Sequence, residues 1–175
     1  RAMIPRDFKE TGMLIDWGET KPTFRIFDDG ILQFNSTVPI GGDALQEAIG
    51  KALNIDLKRA KELKYKKGFI QTPDSINVFQ AIVPVVTALR EEASKYVIYW
   101  QTHSEKKKLP VRLFLAGGDA NLTGLGDYLS RELNMDCSLA NPWANVRFPD
   151  RYIPDIEFIV STRYPTAVGL CLVAL

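Results

Sequence analysis

Leu113-Phe114-Leu115-Ala116-Gly117-Gly118-Asp119-Ala120-Asn121-Leu122-Thr123-Gly124-Leu125 is the stretch on which the reading of this chain turns. A short apolar run of buried-strand character delivers a Gly-Gly corner, and a helix of about Ala120 to Leu133 leaves from it. Bare backbone at Gly117 and Gly118 lets a flat base and ribose pack closely, while a helix N-terminus faces the ligand. Glycines that merely allow a strand and a helix to pack would give the same pair. Gly124, at a fixed offset, lengthens the pattern beyond such a turn.

Upstream lies a second pattern, Asp16-Trp17-Gly18-Glu19-Thr20-Lys21-Pro22-Thr23. It follows the apolar run Met13 to Trp17 and precedes Thr23 to Phe27, which alternates with the two-residue period of a half-buried strand. A carboxylate at a strand end can hold a magnesium ion through its water shell, and a glycine two residues later lets amides approach phosphate oxygens. A plain hairpin would read the same. Asp28-Asp29-Gly30 turns the chain again, and Ile31 to Ile40 completes an antiparallel meander of three strands.

After Gly41-Gly42, Asp43 reads as the N-cap of a helix with Leu45, Ile49 and Leu53 on one face. Leu57 to Lys64 is a second helix whose basic residues form a solvated face. A long helical stretch opens at Pro73-Asp74-Ser75, with Ile76, Phe79, Val83, Val86, Ala93, Val97 and Trp100 as its stripe. Pro84 inside it predicts a kink or a split. Glu105 to Lys108 is a charged loop, Val111 to Leu115 a strand and Cys137 to Ala140 another. Asn141 to Asp155, with three prolines, is loop, and a helix begins at Tyr164. The order of elements is that of a mixed α/β domain.

Composition narrows the function. The 175 residues are 46% hydrophobic, enough for one core or two small lobes sharing it. Lys and Arg number 22 against 21 Asp and Glu, so the basic excess of a nucleic-acid-binding domain is absent. Two cysteines, Cys137 and Cys171, make neither a disulfide framework nor a metal site and fit a reducing cytoplasm. The apolar run Ala167 to Leu175 is too short to span a bilayer, and no signal peptide opens the chain. The single histidine, His103, has no ligand partner at suitable spacing and reads as exposed and inert.

Taken together, the two motifs resemble those of the actin-like superfamily of actin, heat-shock chaperones and sugar kinases. Asp16 to Thr23 resembles its second phosphate motif, and Leu113 to Leu125 its adenosine motif. Within the superfamily, four segments resemble the PilM family, the actin-like proteins of type IV pilus machines. They are Val38 to Asp43, Ala60 to Lys64, Ala140-Asn141-Pro142 and Thr166 to Leu170, and the resemblance runs from about Met13 to Leu175.

The resemblance implies an actin-like ATPase (ribonuclease H-like) α/β fold: a mixed five-stranded sheet with flanking helices, the strands from Val111 and Cys137 parallel beside the first. It makes residues 1–175 the second, C-terminal large domain, with 43–110 including the smaller lobe and the first large domain missing. ATP and magnesium are the implied cofactors of the longer protein, weak or absent in this half alone. Asp16 would hold the magnesium through water, with Gly18 presenting amides to the phosphates and Thr20 and Thr23 nearby. Gly41 and Gly42 would line the phosphate side, Gly117 and Gly118 would pack under the adenosine, and Lys61 and Lys64 would cover the base. Pro22 replaces the family's usual Thr, Lys61 its frequent Glu, and Trp17 is bulkier than the usual aliphatic residue.

The function implied is the nucleotide-binding half of a cytoplasmic scaffold for pilus assembly, held at the inner membrane by PilN-like partners that reach it through the missing domain. Self-association is compatible with this. An FtsA-like membrane tether of the division machinery and a sugar-kinase-type phosphotransferase share the fold and are the alternatives. A kinase needs a carboxylate base beside the substrate hydroxyl, and none stands out. Whether ATP is hydrolysed stays open.

Overall fold

A computed structural model describes residues 2–105, 107–149 and 152–174, without the side chains of Val173 and Ala174. Lys106 of the charged loop, residues 150 and 151 of the proline-rich loop, and the terminal Leu175 lie outside the described residues.

Five strands form one sheet: β1 (Gly12–Asp16), β2 (Thr23–Asp28), β3 (Ile31–Thr37), β4 (Arg112–Ala116) and β5 (Asp136–Leu139), in the order β3-β2-β1-β4-β5. β1, β2 and β3 make the antiparallel meander, with Asp29 and Gly30 at positive φ in the second turn. β4 joins β1 in parallel, Asp16 opposite Ala116, and β5 joins β4 in parallel. The meander and the parallel additions are as the residues and the resemblance led one to expect.

Alternation assigns the two faces of β1. Met13 and Ile15 enter the main core with Phe24, Ile26, Leu113 and Leu115. Leu14 enters a smaller cluster with Ile4, Phe27, Phe114, Ala116 and Ala140. The main core is roofed by helices α1 (Gly42–Leu53), α3 (Ile76–His103) and α4 (Leu125–Leu133), while α2 (Leu57–Lys67) packs on α1 and α3.

Several local expectations are corrected. α1 starts at Gly42 with Gly41 as its N-cap, so Asp43 sits inside the first turn, and its carboxylate reaches only the next amide. α3 runs 28 residues through Pro84 without splitting; Pro84 and Gln80, whose carbonyl it deprives of a donor, are both on the solvent side, where water can replace the bond. The buried stripe of α3 is Val78, Ile82, Val86, Leu89, Ala93 and Tyr96, with Phe79, Val83, Val97 and Trp100 packed at its margin. After the Gly-Gly corner comes a 3-10 turn, Asp119–Asn121, and α4 begins only at Leu125. Gly124, at φ 85°, bends the chain between them. Two short helices close the chain, α5 (Phe158–Ser161) and α6 (Pro165–Ala174). No helix among the described residues is long and apolar enough to cross a membrane.

Candidate functional site

The parallel strands β1 and β4 end side by side, and crevices beyond the carboxyl ends of such strands are where open α/β sheets bind ligands. Trp17 anchors this edge. Its amide donates to the Ala116 carbonyl at 2.7 Å and its buried indole N–H to the Ile40 carbonyl at 3.1 Å. The bulky residue therefore ties the end of β1 both to the corner and to the approach of α1. Beyond it, Gly18 to Lys21 loop into solvent, and their amides find no acceptor among the described residues. A Cβ on Gly18 would meet nothing within 4 Å. An exposed run of unpaired backbone donors is what an anion needs.

Asp16 ends β1 on the face of the smaller cluster, half-buried, with the Arg25 guanidinium 3.6 Å from its carboxylate. It borders a cavity of about 770 Å³ between that face, the N-terminal segment and α6. No group of three His, Cys, Asp or Glu side chains among the described residues could hold a metal ion by itself. Thr23 starts β2 opposite Asp16, and Thr20 is exposed in the loop.

Gly41 and Gly42 have a packing reason of their own. A Cβ on Gly41 would lie 2.3 Å from the Glu19 and Thr20 backbone, and one on Gly42 would lie 1.6 Å from Oδ2 of Asp119. The Gly42 and Asp43 amides donate to the Gly18 and Glu19 carbonyls at 3.1 and 2.8 Å. The first donors of α1 are thus spent on the loop, and the positive end of the helix is set against it.

The corner itself divides its glycines. Gly117 has φ 90°, donates to Thr162 O, and a Cβ there would lie 2.3 Å from Trp17 O. Gly118 has φ −63°, and a Cβ would approach only the Tyr65 hydroxyl and Arg163 Nε, each at 3.8 Å. Gly117 is required by the fold, whereas Gly118 is an open surface walled by Tyr65 of α2 and by Arg163. Asn121 braces that wall, donating to Thr162 Oγ1 at 2.9 Å.

The lysines part company. Lys61 is exposed, its ammonium 3.1 Å from Glu19, and that contact holds the Glu19 carboxyl below its usual range. Lys64 is 0% exposed, the exception on a helix whose other basic residues are solvated. Its ammonium is paired with Asp119, itself 2% exposed, and donates to Gly42 O at 3.3 Å. The Tyr65 hydroxyl also donates to Asp119, at 3.3 Å. Burial, and then the Asp119 charge, push the Tyr65 phenol up to about 12. Asp16, Gly18, Thr20, Thr23, Gly41, Gly42, Lys61, Lys64, Gly117 and Gly118 are all gathered at this end of the molecule. Asp119, Tyr65 and Arg163 were not singled out in the sequence, because their contacts reach across more than 40 residues and leave no local spacing to read.

Comparison with known proteins gives a consistent picture. The family model described as type IV pilus assembly protein PilM matches residues 1–174. No curated protein matches. Among solved structures, a PilM-PilN type IV pilus biogenesis complex is similar with TM-score 0.77 and 23% identity, over 94% of this chain and 46% of that one. The ethanolamine utilization protein EutJ from Carboxydothermus hydrogenoformans follows with TM-score 0.64 and 16% identity, over 95% of this chain and 50% of that one. MreB 5 of Spiroplasma citri bound to AMPPNP gives TM-score 0.65 and 13% identity, over 98% of this chain and 54% of that one. These likenesses establish the actin-like fold, and the chain spans about half the length of the structures it matches.

Proposed function

We propose, from the premise that this chain belongs to the type IV pilus assembly protein PilM family, that it supplies one wall of an ATP site in an actin-like pilus-assembly scaffold. The observation that carries the reading is the juxtaposition at the ends of β1 and β4. A loop of unpaired amides, Gly18 to Lys21, and an unobstructed glycine, Gly118, are tied into one unit by the hydrogen bonds of Trp17 and of the Asp119 amide. The loop would take phosphates and Gly118 the adenosine, with Tyr65 and Arg163 at its sides. Asp16 would hold magnesium through water with the phosphates completing the shell, since a lone carboxylate cannot bind the ion tightly.

Nucleotide state in such a scaffold would tune shape for docking. A similar structure is a complex of PilM with PilN, and a PilN-like partner at the inner membrane is the corresponding proposal here. The residues 43–110 would include the smaller lobe of the second large domain. The test is an amide NMR titration of the chain with magnesium ATP to roughly 10 mM, a range suited to a one-walled site. Shifts should concentrate at Gly18 to Lys21 and at Gly117, Gly118 and Tyr65. A titration that leaves those amides unmoved refutes the reading.

A further inference from the structure

The buried ammonium of Lys64 is the feature the nucleotide reading leaves unused. A lysine placed wholly out of water is costly unless its charge is matched and its protons are bonded. Here the charge is matched by the Asp119 carboxylate, and Asp119 and Gly42 O take two of the ammonium's three donors. Each acceptor belongs to a different piece of the site. Asp119 directly follows the open Gly118, and Gly42 opens α1, whose first amides hold the Gly18–Glu19 turn. Lys64 is in α2, next to Tyr65, whose hydroxyl shares the same carboxylate. The absence of a Cβ on Gly42 gives the carboxylate its room, since one would lie 1.6 Å from Oδ2. Three chain segments far apart in sequence thus converge on one charge pair.

We infer that Lys64 and Asp119 form a positioning pair of the nucleotide site, holding α2 so that Tyr65 stands beside Gly118. The inference rests on the nucleotide reading and deepens it: Lys64 supports the wall and does not touch the base. The side chains nearest Gly118, and so nearest a purine nucleoside packed on it, are Tyr65 and Arg163. A directional pair suits this task better than apolar packing, because it fixes both the distance and the rotation of α2 against the corner.

Two variants test it, each judged by amide spectra for fold and by magnesium ATP titration of the full chain for affinity. Asp119→Asn keeps the shape, removes the charge and strands the buried ammonium. Tyr65→Phe keeps the pair intact and removes only the link from the ring to it. Both should weaken binding per folded molecule, Asp119→Asn by about tenfold and Tyr65→Phe by a few-fold, as lost hydrogen bonds to a charged group do. In both, the nucleotide-induced shift at Gly118 should shrink, a signal that mere loss of stability would not change in the molecules that remain folded. Wild-type affinity in folded Asp119→Asn overturns the inference while leaving the nucleotide reading standing. If Asp119→Asn does not fold, Tyr65→Phe decides, and unchanged affinity there overturns it. A wild-type chain whose spectrum ignores magnesium ATP removes the nucleotide reading and this inference with it.

Discussion

Gly117 and Gly118 are neighbours with opposite tolerances. Gly117→Ala would place a side chain at positive φ and 2.3 Å from a backbone oxygen, so it should cost about 2–4 kcal/mol of stability in urea unfolding. Gly118→Ala meets ordinary backbone geometry and free space, and should stay within about 1 kcal/mol. Gly118→Val should likewise fold, but should abolish nucleotide shifts by filling the space of the ribose. Thiol chemistry gives a second check at this scale. Burial and the nearby Asp127 and Asp136 push the Cys137 thiol from 9.0 up to about 12, so little thiolate forms at pH 8. A disulfide reagent at pH 8 should modify exposed Cys171 promptly and Cys137 only on unfolding. The sign for stability follows. The native state holds the Cys137 proton where the unfolded chain releases it, so this group should lower stability as pH rises above 9.0. Tyr65 should add to the fall above 10.0.

Among the elements, α1 and α2 are started in different ways. α2 has a side-chain cap, Asp56 accepting from the Arg59 amide at 2.8 Å, and Asp56→Ala should cost about 1 kcal/mol in thermal unfolding. α1 is started by Gly41, whose neighbours are the carbonyls of the loop. Gly41→Ser, an improved cap by intrinsic preference, should therefore destabilise, because its Cβ meets the Glu19 and Thr20 backbone at 2.3 Å. Gain of melting temperature in that variant would show that the loop yields easily. Lys64→Met, which leaves the buried Asp119 without its cation, should cost about 3–5 kcal/mol in urea unfolding.

At the scale of the whole molecule, the proposed site is a solvent-facing one, since Gly18 to Lys21 loop into solvent. Contacts to phosphate in such a solvated setting are worth only about 1 kcal/mol per close pair, so the chain alone should bind magnesium ATP at a roughly millimolar level. Phosphate release should stay at the level of buffer. Calorimetry returning micromolar affinity would mean that the site is self-contained. The meander, the Asp-Gly turn and the Gly-Gly corner were legible in the residues because each depends on near neighbours: alternation over six residues, a two-residue turn, a glycine pair after an apolar run. The parallel pairing of β4 with β1 joins segments distant in sequence and was implied only by the resemblance. The stripe of α3 was legible only in part, with Val86 and Ala93 buried and Phe79, Val83, Val97 and Trp100 at its margin, because its apolar residues nearly encircle the helix and only packing selects the buried side.

The amino-acid sequence by itself determined the order of the five strands and the longer helices along the chain and the two glycine-bearing motifs that carry the resemblance. Those features are written in short-range spacing, which local backbone preference and burial period translate directly into structure. Only the tertiary structure decided that Lys64 is interior, that Gly41 and Gly42 answer to the Glu19–Thr20 backbone and the Asp119 carboxylate, and that Tyr65 and Arg163 flank Gly118. Lys64 and Asp119 are 55 residues apart, and a lysine on a basic helix carries no local mark of burial. Its environment is set by which distant carboxylate the fold brings within reach, and that is a property of packing rather than of spacing.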